Sequence, residues 1–204
     1  MRPREELETV ASEVAACTDC KLHMSRKKAV PGEGPADTEL MFIGEGPGFH
    51  ENEQGRPFVG AAGQFLEELL AGIGLQRNQV FICNVVKCRP PGNRDPLPEE
   101  IQACSKYLDR QIRAINPKVI ATLGRYSMAK FYPEGRIGQM HGQARLMEGR
   151  VVMAMYHPAA ALHQPSLRRV VEEDFARLPE ILKHVEKLPE AEEPPESPQQ
   201  LSLF

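Results

Sequence analysis

No run of apolar residues in this chain of 204 approaches the roughly 20 that a membrane-spanning helix needs. The opening stretch, MRPREELETVASEV, has no apolar signal core and reads as an amphipathic helix. No internal repeat is present, which argues against stacked-repeat architectures. Neither the P-loop nor the dinucleotide fingerprint occurs, because the glycine-rich GEGPG at 44–48 has other spacings and residues. Cysteine is sparse, with five residues. Without a secretory signal they point to a reducing cytoplasm, where such residues mark metal binding more than disulfides.

The remaining composition is that of an ordinary globular chain, 41% hydrophobic and 26% charged. A formal charge of −3 argues against a polyanionic partner only if it is evenly spread. It is not. Five Glu and one Lys from Glu186 onward give that end −4, which leaves the body at +1. Local basic clusters stand at Arg26-Lys27-Lys28, at Lys87 with Arg89 and Arg94, and at Arg168-Arg169.

Four of the cysteines form two groups. Cys17 and Cys20 make a C-x-x-C pair, while Cys88 and Cys104 lie far downstream with fifteen residues between them. Four thiolates complete a ligand shell for zinc or for an iron–sulfur cluster. One tight pair with two scattered ligands is not the doubled C-x-x-C of a zinc ribbon, and spacing alone leaves both metals open. Either would staple the N-terminal segment to the middle of the chain. Cys83, within the apolar VFICNVV, reads as a buried strand residue.

Strand and helix patterns alternate. Residues 4–16 read as a helix, 39–44 (ELMFIG) as a strand, 63–74 as a helix and 80–86 as a strand. A helix over 97–115 has Pro and acidic residues in its first turn. Strands at 118–124 and 151–156 follow, with helices near 125–131 and over 167–186. The expected fold class is α/β, a three-layer α/β/α sandwich around a central four-stranded parallel sheet. One domain spans 1–186; residues 187–199, rich in Pro and Glu, predict a disordered linker before the final five residues, 200–204.

Ligands of parallel sheets bind beyond the carboxyl ends of the strands. Those exits carry Glu45 and Gly46 after the first strand, Asn84 at the end of the second, and His157-Pro158 after the fourth. Each has two readings. GEGPG is a strand-ending turn, or a loop whose small residues let backbone N–H groups approach a ligand. Phe58, in GRPFVG, is a satellite of the core or a stacking platform for a planar base. Asn84 closes a loop, or pairs its adjacent donor and acceptor with the edge of a base. His157 is a satisfied structural residue, or faces a ligand in the extended geometry that Pro158 imposes.

The ordered set C-x-x-C, GEGPG, GRPFVG-x-x-G, N-x-x-KCRPP-x-N, a second distant cysteine and HP resembles the family 4, iron–sulfur, uracil-DNA glycosylases over about residues 15–165. The resemblance implies a base-excision repair enzyme that hydrolyses the N-glycosidic bond of uracil. It implies a 4Fe-4S cluster held by Cys17, Cys20, Cys88 and Cys104 as a structural element. By the same resemblance Phe58 stacks on the everted uracil, Asn84 reads its N3–O4 edge and His157 hydrogen-bonds its O2. Glu51 obstructs a C5 methyl group, and Gly46 stands where better-known glycosylases carry a water-activating Asp. Glu45 and Asn93 match positions that help in that activation. The segment HPAAALHQPSLRR departs from the usual continuation of the family's HP motif, at a loop expected to wedge into the minor groove. The basic insertion of a branch that forms covalent DNA adducts is missing.

Lys87, Arg168 and Arg169 are the expected contacts to the phosphate backbone. The final residues QLSLF resemble the bacterial sliding-clamp-binding pentapeptide, with Leu203 and Phe204 as anchors, Gln200 setting the register and Leu201 between them. One domain of this size with a polar tail shows no obvious oligomer seam, so a monomer is expected; it is expected in the bacterial cytoplasm beside the nucleoid, working on single- or double-stranded uracil-containing DNA. Two other classes share the cysteine pattern: a metal-stabilised DNA-binding module without catalysis, and an electron-transfer protein.

Overall fold

The computed structural model describes residues 2–185. The predicted linker at 187–199 and the QLSLF peptide with Gln200, Leu201, Leu203 and Phe204 lie outside the described residues.

Helix α1 (Pro3–Ala16) is followed by strand β1 (Leu40–Gly44), the short helix α2 (Phe49–Gln54) and α3 (Ala61–Gly72). Strand β2 (Phe81–Asn84), the long helix α4 (Pro98–Ile115) and β3 (Val119–Leu123) come next. Two short helices, α5 (Arg125–Ala129) and α6 (Ile137–Met140), precede a hairpin of β4 (Ala144–Met147) and β5 (Arg150–Met155). Helices α7 (Pro158–His163), α8 (Leu167–Ala176) and α9 (Leu178–Lys183) end the described chain.

The sheet has five strands in the order β2-β1-β3-β5-β4. Strands β2, β1, β3 and β5 are parallel, as the sequence pattern predicts. The fifth, β4, corrects the expected four-stranded sheet: it pairs antiparallel with β5, Ala144 opposite Met153 and Met147 opposite Arg150. Glu148 and Gly149 form the two-residue connection, both with positive φ (50° and 76°), the pairing that a tight hairpin with right-handed twist requires. β4 lies at an edge and is only half-buried, so it lacks the continuous apolar run of its neighbours.

Alternate residues of the parallel strands feed two cores, one on each face. Phe42, Ile82, Ala121 and Met153 pack with Phe65, Leu66, Leu69 and Leu70 of α3 and with Val171 and Phe175 of α8. The Phe42 and Phe175 rings stack at 5.6 Å. On the other face Met41, Ile43, Ile120 and Val152 meet Leu108, Ile112 and Ile115 of α4. Cys83 is fully buried there, as the apolar run around it predicts. A third cluster joins α1 to α4 through Val10, Val14, Val86 and Tyr107, and contains Cys88 and Cys104.

Local signals explain the boundaries. Pro98 opens α4, and Glu100 reaches back to the Leu97 N–H at 2.8 Å while pairing with Arg94. Asn116, left-handed with φ 46°, ends it just before Pro117. The single helix expected over 167–186 is broken at Arg177, where Pro179 starts a new helical turn in α9. Because β1 connects to β2 on one side and β3 joins β1 on the other, the strand order reverses beside β1, where such sheets open a crevice.

Candidate active site

The crevice lies over the exits of β1, β2 and β5. Glu45, Gly46, Glu51, Phe58, Asn84, Asn93 and His157 all line it, together with Pro90, Arg94, Asp95, Ala159 and His163. The seven cleft residues singled out from sequence thus share one space, although they are spread over more than one hundred positions.

The exits of β1 and β2 stay bonded beyond the sheet, Val85 N–H to Gly44 O at 3.0 Å and Val86 N–H to Glu45 O at 3.1 Å. Glycine is required here by close approach. A Cβ on Gly44 would stand 2.4 Å from Asn84 Oδ1 and 2.7 Å from the Phe58 ring. A Cβ on Gly46 would stand 2.7 Å from Val86 Cγ2, so packing alone bars a side chain there.

Glu51, in the first turn of α2, fastens two loops together. Its carboxylate accepts from the backbone N–H groups of Gly48 (3.1 Å), Val59 (2.8 Å) and Gly60 (2.9 Å). This binds the GEGPG loop to the loop bearing Phe58. Phe58 itself has φ 50°, an unusual conformation for a bulky residue. Arg77 holds it there by donating to Phe58 O at 2.8 Å and to Pro57 O. The Phe58 and His157 rings lie nearly parallel, their centroids 5.4 Å apart.

Asn84 is 1% exposed, and its Oδ1 has no hydrogen-bond partner. A buried amide oxygen left unpaired is costly, and such an atom in a cleft is an acceptor waiting for a donor. His157 caps α7. The Ala159 N–H donates to Nδ1 at 3.1 Å, so in the neutral imidazole the hydrogen sits on Nε2. Burial pushes its pKa down to about 4, outweighing the opposing charge of Glu51, and the ring is neutral at physiological pH. Burial, helped by the charge of Asp95, raises the Glu45 carboxyl above its ordinary range; Arg125 opposes that rise. Asn93 sits left-handed (φ 55°), its Oδ1 accepting from Arg89 Nε at 2.7 Å.

Cys17, Cys20, Cys88 and Cys104 border a second cavity, between the end of α1, the exit of β2 and the second turn of α4. None of the four is in a disulfide bond. Among the described residues, no three His, Cys, Asp or Glu side chains are gathered as the shell of a single metal ion requires. Burial pushes the Cys104 thiol up to about 11 and raises Cys20 and Cys88. Arg26 Nη1 donates to Cys88 Sγ at 3.3 Å, and the Lys87 backbone N–H donates to Cys104 Sγ at 3.3 Å.

Lys87 is not on the surface, which corrects its assignment as a DNA contact. It is 1% exposed, and its ammonium donates inward to Asn84 O (2.8 Å) and Gln111 Oε1 (2.6 Å), beyond the reach of any phosphate. Arg168 and Arg169 are exposed on α8, remote from the β2 exit in sequence. They pair with Glu68 and Glu172, and with Glu173, respectively. Three features had no sequence expectation: the Ala159 cap on His157, the Glu51 tie, and the Arg125–Asp95 pair beside Glu45. Glu51 at the third position of α2 after Gly48 is a legible capping pattern; the other two depend on the fold.

No described helix is long and apolar enough to cross a membrane. The sequence model of the uracil DNA glycosylase superfamily matches residues 31–183. A type-4 uracil-DNA glycosylase of Sulfurisphaera tokodaii is 49% identical over 187 residues, 87% of this chain and 85% of that protein. One from Archaeoglobus fulgidus is 44% identical over 186 residues, covering 87% and 94%. One from the bacterium Thermotoga maritima is 46% identical over 190 residues, covering 90% and 98%. On that match and those identities, the chain belongs to the uracil DNA glycosylase superfamily and, within it, to the type-4 uracil-DNA glycosylases.

Proposed function

We propose that this protein excises uracil from DNA by hydrolysing its N-glycosidic bond, leaving an abasic site. The observation that carries the proposal is the meeting of a fixed aromatic ring, an unpaired buried amide oxygen and a neutral Nε2–H in one cleft.

The base must first leave the helix, at a cost of about a few kcal/mol that is smallest for a mispaired base such as uracil opposite guanine. Phe58 then covers one face of the ring. Asn84 Oδ1 accepts the N3–H of uracil, and its amide N–H donates to O4. Cytosine reverses both polarities, and the lost pairing costs on the order of 1–3 kcal/mol. Glu51, bordering the cleft with its carboxylate fixed by three N–H groups, is placed to crowd a C5 methyl group, which discriminates against thymine.

As the C1′–N1 bond breaks, the electron pair passes to uracil and positive charge develops on the sugar. His157 Nε2–H donates to O2 and spreads the negative charge without giving up its proton. Backbone N–H groups around Gly46 add to that stabilisation. A water molecule bonds to C1′; Glu45 accepts its proton, and Asn93 orients it. Gly46 carries no side chain for this task, and the neighbouring Glu45 carboxylate is the base of this scheme.

Four cysteine sulfurs bordering one space are a donor set that fits a 4Fe-4S cluster, and the family 4 resemblance selects the cluster over zinc. We assign them a 4Fe-4S cluster, which when bound supplies a covalent tie between α1, the β2 exit and α4. Arg168 and Arg169 remain the phosphate contacts of this scheme. Exposed ion pairs are worth little, so phosphates can displace Glu68, Glu172 and Glu173 at small cost. The QLSLF residues Gln200, Leu201, Leu203 and Phe204 are proposed to tether the enzyme to a sliding clamp; deletion of 200–204 abolishes clamp affinity if this is so.

The primary test is incubation with an oligonucleotide bearing one uracil, followed by hot alkali. Scission at the uracil position, with the thymine control intact, is the expected result. Binding without base release would overturn the assignment.

A further inference from the structure

Lys87 presents a physical problem. Its side chain is buried, and both acceptors of its ammonium, Asn84 O and Gln111 Oε1, are neutral. No carboxylate pairs with it among the described residues. Gln111 is itself fixed, donating to Pro31 O at 2.7 Å. An ammonium held out of water needs a compensating negative charge, and its absence is strongly destabilising.

The compensation lies next door. Lys87 borders the four-cysteine cavity, and its backbone N–H donates to Cys104 Sγ. From another element, half-buried Arg26 donates to Cys88 Sγ at 3.3 Å and to the carbonyls of Cys17 and Ala15. Arg26 likewise has no carboxylate partner among the described residues. Four thiolates around a doubly positive core leave two negative charges, whether that core is zinc or an iron–sulfur cube. Two cations without carboxylate partners border the cavity that would hold them.

We propose that Lys87 and Arg26 are the counter-cations of the four-thiolate centre. This rests on the metal assignment made above. It gives a lysine next to a ligand cysteine an electrostatic task inside the protein in place of a contact with DNA.

The test uses the metal-loaded protein as purified and two readouts that involve no uracil. One is the reduction potential of the centre, followed by visible absorbance; the other is the rate of metal loss to a chelator. Lys87→Met should move the potential to more negative values, because removing a nearby positive charge disfavours adding an electron. It should also speed metal loss by on the order of tenfold. Gln111→Leu, which removes a neutral acceptor and keeps the charge, should leave the potential unmoved. The proposal is overturned if Lys87→Met changes neither readout, or if Gln111→Leu shifts the potential as far. Should Lys87→Met fail to fold, Arg26→Gln decides the matter: a shift of the same sign upholds the proposal and an unchanged potential and metal-loss rate overturn it. A colourless zinc centre leaves the chelator arm to decide alone. Loss of uracil excision in any variant does not bear on these readouts, so this proposal and the enzymatic one fail separately.

Discussion

The backbone N–H of Ala159 donates to Nδ1 of His157 at 3.1 Å, and this one bond fixes which nitrogen faces the cleft with a proton. An N-cap contact, made to start α7, thereby selects the donor tautomer needed at a developing anion.

The first prediction concerns that histidine. His157→Ala should lower the single-turnover rate on uracil DNA by at least about tenfold, since one preorganised donor is lost. Heteronuclear NMR of the ring should report a neutral, Nε2-protonated imidazole throughout the neutral range. Because burial lowers the folded pKa to about 4 against an ordinary 6.5, the unfolded chain takes up the proton first on acidification. The residue's contribution to stability is therefore complete above about 6.5 and is lost as pH falls toward 4. Denaturant midpoints across that window should fall less steeply for His157→Gln than for the natural protein.

Asn84 carries the second. Its unpaired Oδ1 contributes only when a donor arrives, so Asn84→Ala should leave the melting temperature nearly unchanged. The same change should slow excision by at least about tenfold, the equivalent of one good buried hydrogen bond. Near-normal excision by this variant, measured in single turnover, would remove Asn84 from the mechanism.

Gly44 supplies the third, and it separates shape from chemistry. The residue touches no substrate atom in the scheme, yet an added Cβ would stand 2.4 Å from Asn84 Oδ1 and 2.7 Å from the Phe58 ring. Gly44→Ala should push both groups from their places and reduce excision by about one hundredfold, a misplacement effect. Metal content should be retained, because the four cysteines lie outside that contact. Activity unchanged on alanine substitution would mean that the ring and the amide are not held as described.

Most of the architecture is legible in the sequence because four strands buried on both faces are written as short apolar runs ended by glycine, asparagine or His-Pro. β4 is not, because Ala144-Arg145-Leu146-Met147 is a half-exposed edge, and only the Glu148-Gly149 turn marks it. The cleft residues stand at strand exits, where parallel topology brings them together. Lys87 reads as a surface residue because lysine is ordinarily exposed, yet its neighbours Val85, Val86 and Cys88 are all buried and mark an inward run. Arg168 and Arg169 each carry a glutamate four positions on, a spacing that by itself announces intrahelical pairing. The Ala159 cap has no such marker, since it depends on how α7 leaves β5.

The last prediction turns on Glu45. Burial and the charge of Asp95 raise its pKa, while Arg125 holds it down. Arg125 also pairs with Asp95, so the three groups form one electrostatic unit at the rim. If Glu45 accepts the proton of the attacking water, it must be ionised, and the pH–rate profile should show an acidic limb that follows its titration. Arg125→Gln removes a stabilising cation and should shift that limb to higher pH. Asp95→Asn removes a repelling anion and should shift it to lower pH. Glu45→Gln should abolish the limb and lower the plateau by about one hundredfold to ten-thousandfold, the range of general-base contributions. Opposite shifts from Arg125 and Asp95, absent in the Glu45→Gln background, identify the carboxylate; a limb that persists without Glu45 assigns the proton to another acceptor.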